Sequence, residues 1–409
     1  MTHGRSKSGR TRCCPERSAS TSRRPTAPAI GGPMWVPPRA CRPYSPTGCE
    51  ISMARSRAGT ALQGGFILAM VLWMLAALAI GVGLLVLWTR ERVAEATLAR
   101  VEIEDRIAAL STREVLLYLA STVPVTRAGQ PLTPIPVGEL ALRRLDEFGG
   151  FDLRPRGGEL RLDDRTYLGI GGIRFAVQDE AGLVPLALPE NAPVSILLAA
   201  AGAPAASLPG LVDRLVDYAD ADDLRRLNGA ESRDYERAGV PPPAQRPLIS
   251  VRELPRVLGW HDLPSDVLGR TQDWATTAYA GALNLNTAPL PLLEAYVLDC
   301  GTVCRARLAR RDDALFLSGR HFEEETATRL RGDRDTDYRT APSGEWRLTF
   351  WGAAGRAWRI HVRLTPLADQ AAPWTVDAVY RAPRPDADDA PSTIPSPLFA
   401  DAPLDRPLR

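Results

Sequence analysis

Between Ala58 and Thr89 the chain carries no charged residue, and Phe66 to Trp88 is an apolar run of 23 residues. At 1.5 Å per residue, about 20 such residues cross the hydrocarbon core of a bilayer. A cleavable secretory signal has an apolar region of only ~7–15 residues and ends in a small-residue cleavage site; this run is longer and ends in Trp88. The run therefore predicts a single membrane-spanning helix. Arg55 and Arg57 on its N-terminal side orient it with a cytoplasmic N-terminus and an exported body. Residues 1–52 are rich in Pro, Ser, Arg and Cys without periodicity, and read as a disordered basic extension or as sequence upstream of a true start at Met53.

Charge divides at the same place. Residues 1–63 hold 11 basic and 2 acidic groups, a net charge of +9, so the rest must be −7 to reach the total of +2. An acidic body argues against general nucleic-acid binding. Four of the six cysteines precede the span, leaving Cys300 and Cys304 in the body, which excludes a disulfide framework. Their spacing of four places them on one face if that stretch is a regular helix; buried free thiols and a local bridge both fit, and zinc with His321 fits poorly. His261 and His361 read as incidental.

Beyond Trp88 the apolar positions Val93, Ala96, Leu98, Val101, Ile107, Leu110, Val115, Leu116 and Leu119 recur among charges with no Gly or Pro before Pro124. That pattern extends the spanning helix into water, with Glu102 placed to pair with Arg106. A loop-rich passage follows, with a short helix near 137–147. Leu160 and Leu162, then Ile170, Ile173, Phe175 and Val177, predict a hairpin turning near Asp163-Asp164 and ending at Asp179 to Gly182. Helical signal dominates from Asn191 to Leu330, and strands return at 346–350, 358–364 and 375–380 as an antiparallel meander. The expected fold is α+β: a long N-terminal helix packed on an antiparallel sheet, with a large inserted all-α domain. The corresponding division is a leader at 53–65, helix at 66–122, sheet segments at 123–190 and 336–382, the insertion at 191–335, and a disordered tail at 383–409.

The densest chemistry is Asp213, Asp217, Asp220, Asp222 and Asp223, five aspartates within 11 residues, followed by Asn228-Gly229-Ala230-Glu231. So many carboxylates repel unless solvated or neutralised. Oxygen-only donors suit a hard cation such as calcium. Counted from Asp220 the spacing partly matches an EF-hand loop, but Leu224 and Arg225 stand where a ligand and the required glycine belong. A solvated acidic helix end paired with Arg225 and Arg226 is the competing reading. A hydrolase pair is disfavoured because no nucleophile signal accompanies it.

The sequence Asp217-Tyr218-Ala219-Asp220-Ala221-Asp222-Asp223, then Asn228-Gly229-Ala230-Glu231, resembles the signature of the general secretion pathway protein K family, the K minor pseudopilins of type II secretion. Ser250 to Leu254, Gly259 and Leu283-Asn284-Leu285-Asn286-Thr287-Ala288-Pro289 continue the resemblance in order, and it covers roughly 57–380. Tyr218 stands where the family commonly has Trp. Gly64-Gly65 before Phe66 resembles a type IV prepilin junction, with Met70 at the fifth mature position in place of the usual Glu. The resemblance implies a non-enzymatic subunit anchored in the inner membrane, with its body in the periplasm. It further implies cleavage between Gly65 and Phe66 by prepilin peptidase and calcium at Asp217, Asp220, Asp222, Asp223 and Glu231. The implied partners are the I and J minor pseudopilins at the pseudopilus tip and the major pseudopilin, with Met70, Val101, Ile107 and Leu110 as contact positions and no nucleic acid. Leu283 to Pro289 with Arg305, Arg307, Arg310 and Arg311 also resembles a helix-hairpin-helix unit, so the alternative is a membrane-anchored DNA-binding protein of a competence-like pilus.

Overall fold

The structure is a computed structural model that describes residues 64–133, 153–187, 189–365, 372–383, 394 and 397–399. The expected extension at 1–52, residues 53–63 of the expected leader, the expected helix near 137–147 and most of the expected tail lie outside the described residues. The chain divides into two units, Met1–Met74 and Leu75–Arg409.

Helix α1 runs Gly64–Thr122, 59 residues. Every side chain from Phe66 to Arg100 is exposed, and among the described residues this helix alone is long and apolar enough to cross a membrane. Farther along, the 3.6-residue period produces a buried stripe of Ala108, Thr112, Leu116, Leu119 and Ala120. Pro124 cannot continue the ladder. Buried Gln130 then takes up carbonyls at the helix end, donating from Nε2 to Leu119 at 3.3 Å and Val123 at 3.1 Å. Glu102 pairs with Arg356, far along the chain, instead of with Arg106 as expected.

The sheet is antiparallel, in the order β1 (Asp163–Leu168), β2 (Arg174–Asp179), β9 (Glu345–Trp351), β10 (Ala357–Leu364), β11 (Trp374–Ala382). Two-residue alternation gives it two different faces. Phe175, Val177, Trp346, Leu348, Phe350, Ile360 and Val362 pack on Leu116, Leu117 and Leu119 of α1. Arg347, Arg359 and His361 take the opposite face, where Arg347 Nη1 donates to Asp273 O at 2.7 Å. The first hairpin does not turn at Asp163-Asp164. Those residues open β1, and Asp164 has φ 65° at an irregularity in the β1–β2 register. The local signal was real but marks a bulge. The chain turns instead through Ile170–Gly172, with Ile170 N–H donating to Thr112 Oγ1 at 3.1 Å.

Between β2 and β9 lies the mainly helical insertion: α2 (Asn191–Ala201), α3 (Leu208–Ala219), α4 (Ser232–Ala238), α5 (Ser265–Asp273), α6 (Leu290–Ala295), α7 (Thr302–Ala309) and α8 (Gly319–Thr326). Three two-residue ladders tie it together: β3 (Val184–Pro185) with β4 (Ala275–Thr276), β5 (Leu283–Asn284) with β8 (Tyr338–Arg339), and β6 (Val297–Leu298) with β7 (Arg329–Leu330). It has its own core, including Leu197, Leu215, Tyr235, Trp260, Leu292 and Phe322. Cys300 and Cys304 are bridged, with Cα atoms 5.2 Å apart. The premise of one helix face fails, because Cys300 precedes α7.

Candidate functional site

Helix α3 buries Leu211, Val212, Leu215 and Val216, and ends where Asp220 takes an extended backbone. Asp217 is buried one turn before that end, and its carboxylate faces the following loop. Its Oδ2 accepts from Arg226 N–H at 3.1 Å, and Arg226 Nε stands 3.4 Å from Oδ1. A Cβ at Gly229 would lie 1.8 Å from Asp217 Oδ2, so only glycine admits this approach. Asp213 Oδ2 accepts from the Asn228 backbone at 3.0 Å and from Asn228 Nδ2 at 3.1 Å. The Asn228-Gly229 pair thus folds the loop back on α3, carrying Glu231 to the start of α4.

Asp217 Oδ1 and Asp220 Oδ1 are buried without a hydrogen-bond partner, and the buried Glu231 carboxylate faces the Asp234 N–H in a capping box at the start of α4. Burial raises the Asp217 carboxyl, helped by the charge of Asp220, and it raises Asp220, helped by Asp222. Glu231 is pushed up to about 7, by burial first and then by the charges of Asp217, Asp220 and Asp223. Of the five expected ligands, four therefore act on one another at Glu231. Asp222 is exposed and spends Oδ1 on Leu224 N–H at 2.9 Å; Asp223, also exposed, accepts from Gln245 Nε2 at 3.2 Å. Among the described residues no three carboxylates, imidazoles or thiols already stand at metal-ligand spacing. The donor chemistry fits a hard cation, since buried, unpartnered carboxylate oxygens are costly without a positive charge.

Around this loop the other quoted motifs are structural. Glu253 in Ser250 to Leu254 accepts from Ile249 N–H at 2.9 Å and Ser250 N–H at 3.2 Å, and pairs with Arg246 at 2.9 Å. Tyr218 packs against Tyr235 with ring centroids 6.3 Å apart. Leu283 to Ala288 is buried. Asn286 Nδ2 donates to Phe316 O and Thr340 O, both at 2.9 Å, and its Oδ1 accepts from Phe316 N–H at 2.9 Å. Arg307 pairs with Glu325 at 2.9 Å and stacks on Phe316, while buried Arg311 donates to Ala288 O at 2.6 Å. Of the arginines in the helix-hairpin-helix reading, Arg307 and Arg311 are thus occupied internally, whereas Arg305 and Arg310 are exposed beside Glu294 and Asp313.

Two buried networks at the sheet–insertion junction escaped the sequence. Asp179 accepts from Ser343 N–H at 2.8 Å, Ser343 Oγ at 2.6 Å, Asn284 Nδ2 at 2.8 Å and Thr287 Oγ1 at 2.9 Å. Glu180 pairs with His361 Nδ1, and His361 Nε2 lies 2.9 Å from Tyr380 Oη, so His361 is not incidental. The available signal was two consecutive acids between apolar Val177 and Ala181, at the end of a strand.

On the helix, Met70 is exposed in the apolar segment. Ile107 and Leu110 are exposed too, in register with Ile103, whereas Val101 is half-buried on the stripe with Asp105, Ala108 and Thr112 that faces the sheet. The expected contact positions thus fall on two faces.

Residues 188–268, from the approach to α2 through the acidic loop to α5, match the family model described as Type II secretion system (T2SS), protein K. A similar solved structure is the crystal structure of the GspK-GspI-GspJ complex from the enterotoxigenic Escherichia coli type 2 secretion system, at 16% identity and a TM-score of 0.44, covering 72% of this chain and 99% of that one. No curated protein matches. The family match falls on the segment that holds the acidic loop, so residues 188–268 are similar to the protein K family of type II secretion systems.

Proposed function

We propose that the chain assembles with the I and J minor pseudopilins at the pseudopilus tip, supporting export of folded proteins across the outer membrane. The match of residues 188–268 to the protein K family carries this reading. In it, α1 anchors the protein in the inner membrane and the body stands in the periplasm. Prepilin peptidase cuts between Gly65 and Phe66, where the polar leader gives way to the apolar helix. In pilin-like packing the Glu at the fifth mature position of an incoming subunit is neutralised by its neighbour's N-terminal amine. Met70 cannot make that contact, so this subunit need not follow another one. The insertion agrees, since a block of seven helices would crowd subunits stacked above it but is free at an end.

The exposed Ile103, Ile107 and Leu110 face is the surface offered to the partners beneath, the I and J subunits and then the major pseudopilin. Calcium, held by Asp217, Asp220, Asp223 and Glu231 with Asp222 at the rim, supplies positive charge beyond that of Arg226. The role of these residues is to order the loop; no reaction is assigned to them. Labelling the subunit in assembled pseudopili tests the placement. Label confined to one end is expected, and label repeated along the shaft contradicts it.

A further inference from the structure

Past the closing strand β11, two residues far along the chain return to the core beneath the sheet. Ile394 and Phe399 are buried in the apolar cluster that includes Leu116 and Leu119 of α1 and Phe175 and Leu348 of the sheet. Pro397–Phe399 is a single 3-10 turn. It lays the Phe399 ring on Phe175, with centroids 6.0 Å apart and planes 12° from parallel. Phe175 is the middle of an aromatic row across three strands. In the sheet register it stands opposite Tyr167 of β1 and Phe350 of β9, and its ring stacks on theirs at 5.6 Å and 6.2 Å. Phe399 therefore sits on the face that also holds α1.

We propose that the Tyr167–Phe175–Phe350 row is the floor of a docking groove for a proline-flanked segment with an aromatic anchor, and that Ile394 and Phe399 fill it in cis as a detachable ligand. Residues 384–393, which join the segment to β11, include three aspartates and two prolines and no apolar side chain larger than proline. The attachment therefore rests on Ile394 and Phe399. Pro395 and Pro397 have no N–H, so this stretch is ill suited to extend the sheet as a ladder strand. It is held by side chains, in the way proline-rich ligands are held in aromatic-lined grooves, where the preset φ lowers the cost of ordering. Stacked rings favour the anchor beyond the area it buries. Tethering makes the docking intramolecular, at an effective concentration on the order of millimolar, so even a weak site stays filled. While seated, the segment withholds the aromatic row from other chains. A partner able to displace it would carry the same chemistry, an aliphatic residue a short proline-containing stretch before a phenylalanine.

The test uses the full chain in detergent, with a protease site placed within residues 386–389. Cutting there leaves the segment bound by its anchors alone. The fragment should co-elute with the rest of the chain when concentrated and leave it on extensive dilution, while the circular dichroism spectrum is unchanged. A dye-labelled synthetic peptide of residues 390–403 should then rebind. The same peptide carrying Phe399→Asp should bind at least about ten-fold more weakly, the loss expected for one buried phenylalanine. The uncut chain, whose own segment fills the groove, should take up either peptide poorly. A fragment that stays through dilution, or a chain that unfolds when it leaves, would make the segment a permanent part of the core and overturn the proposal. Failure of the peptide to rebind, equal binding of the two peptides, or equal binding by cut and uncut chains would overturn it as well.

Discussion

Glu231 is the residue on which the chemistry of the loop turns. Its carboxyl stands at about 7 in the folded body and near ~4.3 in an unfolded chain. Between those values the folded state binds more protons, so stability in chelator should fall as pH rises across the window. A divalent cation competes with the proton and favours the ionised form, so the stabilisation by calcium should grow from pH 5 to 7. Melting curves of the soluble body against pH, with calcium and with chelator, should diverge; superimposed curves would remove the cation from the account. Asp222→Ala should weaken the calcium response less than Asp217→Ala, because Asp222 is exposed and Asp217 buried. Gly229→Ala should destabilise the body by about 1–3 kcal/mol, as its Cβ would overlap Asp217 Oδ2, seen as a lower melting temperature even without calcium. The acid spacing and the Asn228-Gly229 pair were legible as sequence. That Asp213 orders the loop and Asp223 lies at its exposed edge was not, because both depend on how a twelve-residue stretch closes on α3.

Among the elements, α1 and the late meander were readable because their periods are local: 3.6 residues for the helix and two for the strands. The first hairpin misled, since an Asp-Asp pair marks a bulge as readily as a turn, and only the pairing of β1 with β2 distinguishes them. Which face of α1 is free could not be read either, because the sheet that covers the Ala108 and Thr112 stripe is assembled from segments far away in sequence. The exposed stripe gives a direct prediction. Ile107→Arg should leave the melting temperature of the body within about 1 °C, as an exposed substitution costs within ±0.5 kcal/mol, yet abolish co-assembly with the partner bodies. Loss of folding instead would show that this face is internal. Asn286→Ala should act oppositely, lowering stability by about 1–3 kcal/mol per orphaned peptide group at Phe316 and Thr340, read as an earlier denaturant midpoint.

At the scale of the molecule, one sheet serves two cores. Its apolar face holds α1, and its polar face meets the insertion through Asp179, Glu180, Arg347, Arg359 and His361. The division into helix, sheet and inserted block was visible as a change of hydrophobic period, but its joints were not, because they consist of single buried polar residues whose partners lie 74 to 181 positions away. If this body is the K member of a three-part minor pseudopilin assembly, as proposed, it should join the other two members in solution. Mixing it with the soluble bodies of the I and J minor pseudopilins and measuring mass by light scattering after gel filtration reads that association. One equimolar complex of the three, lost in Ile107→Arg, is expected; three separately eluting proteins, with the body folded and calcium present, would overturn the assignment.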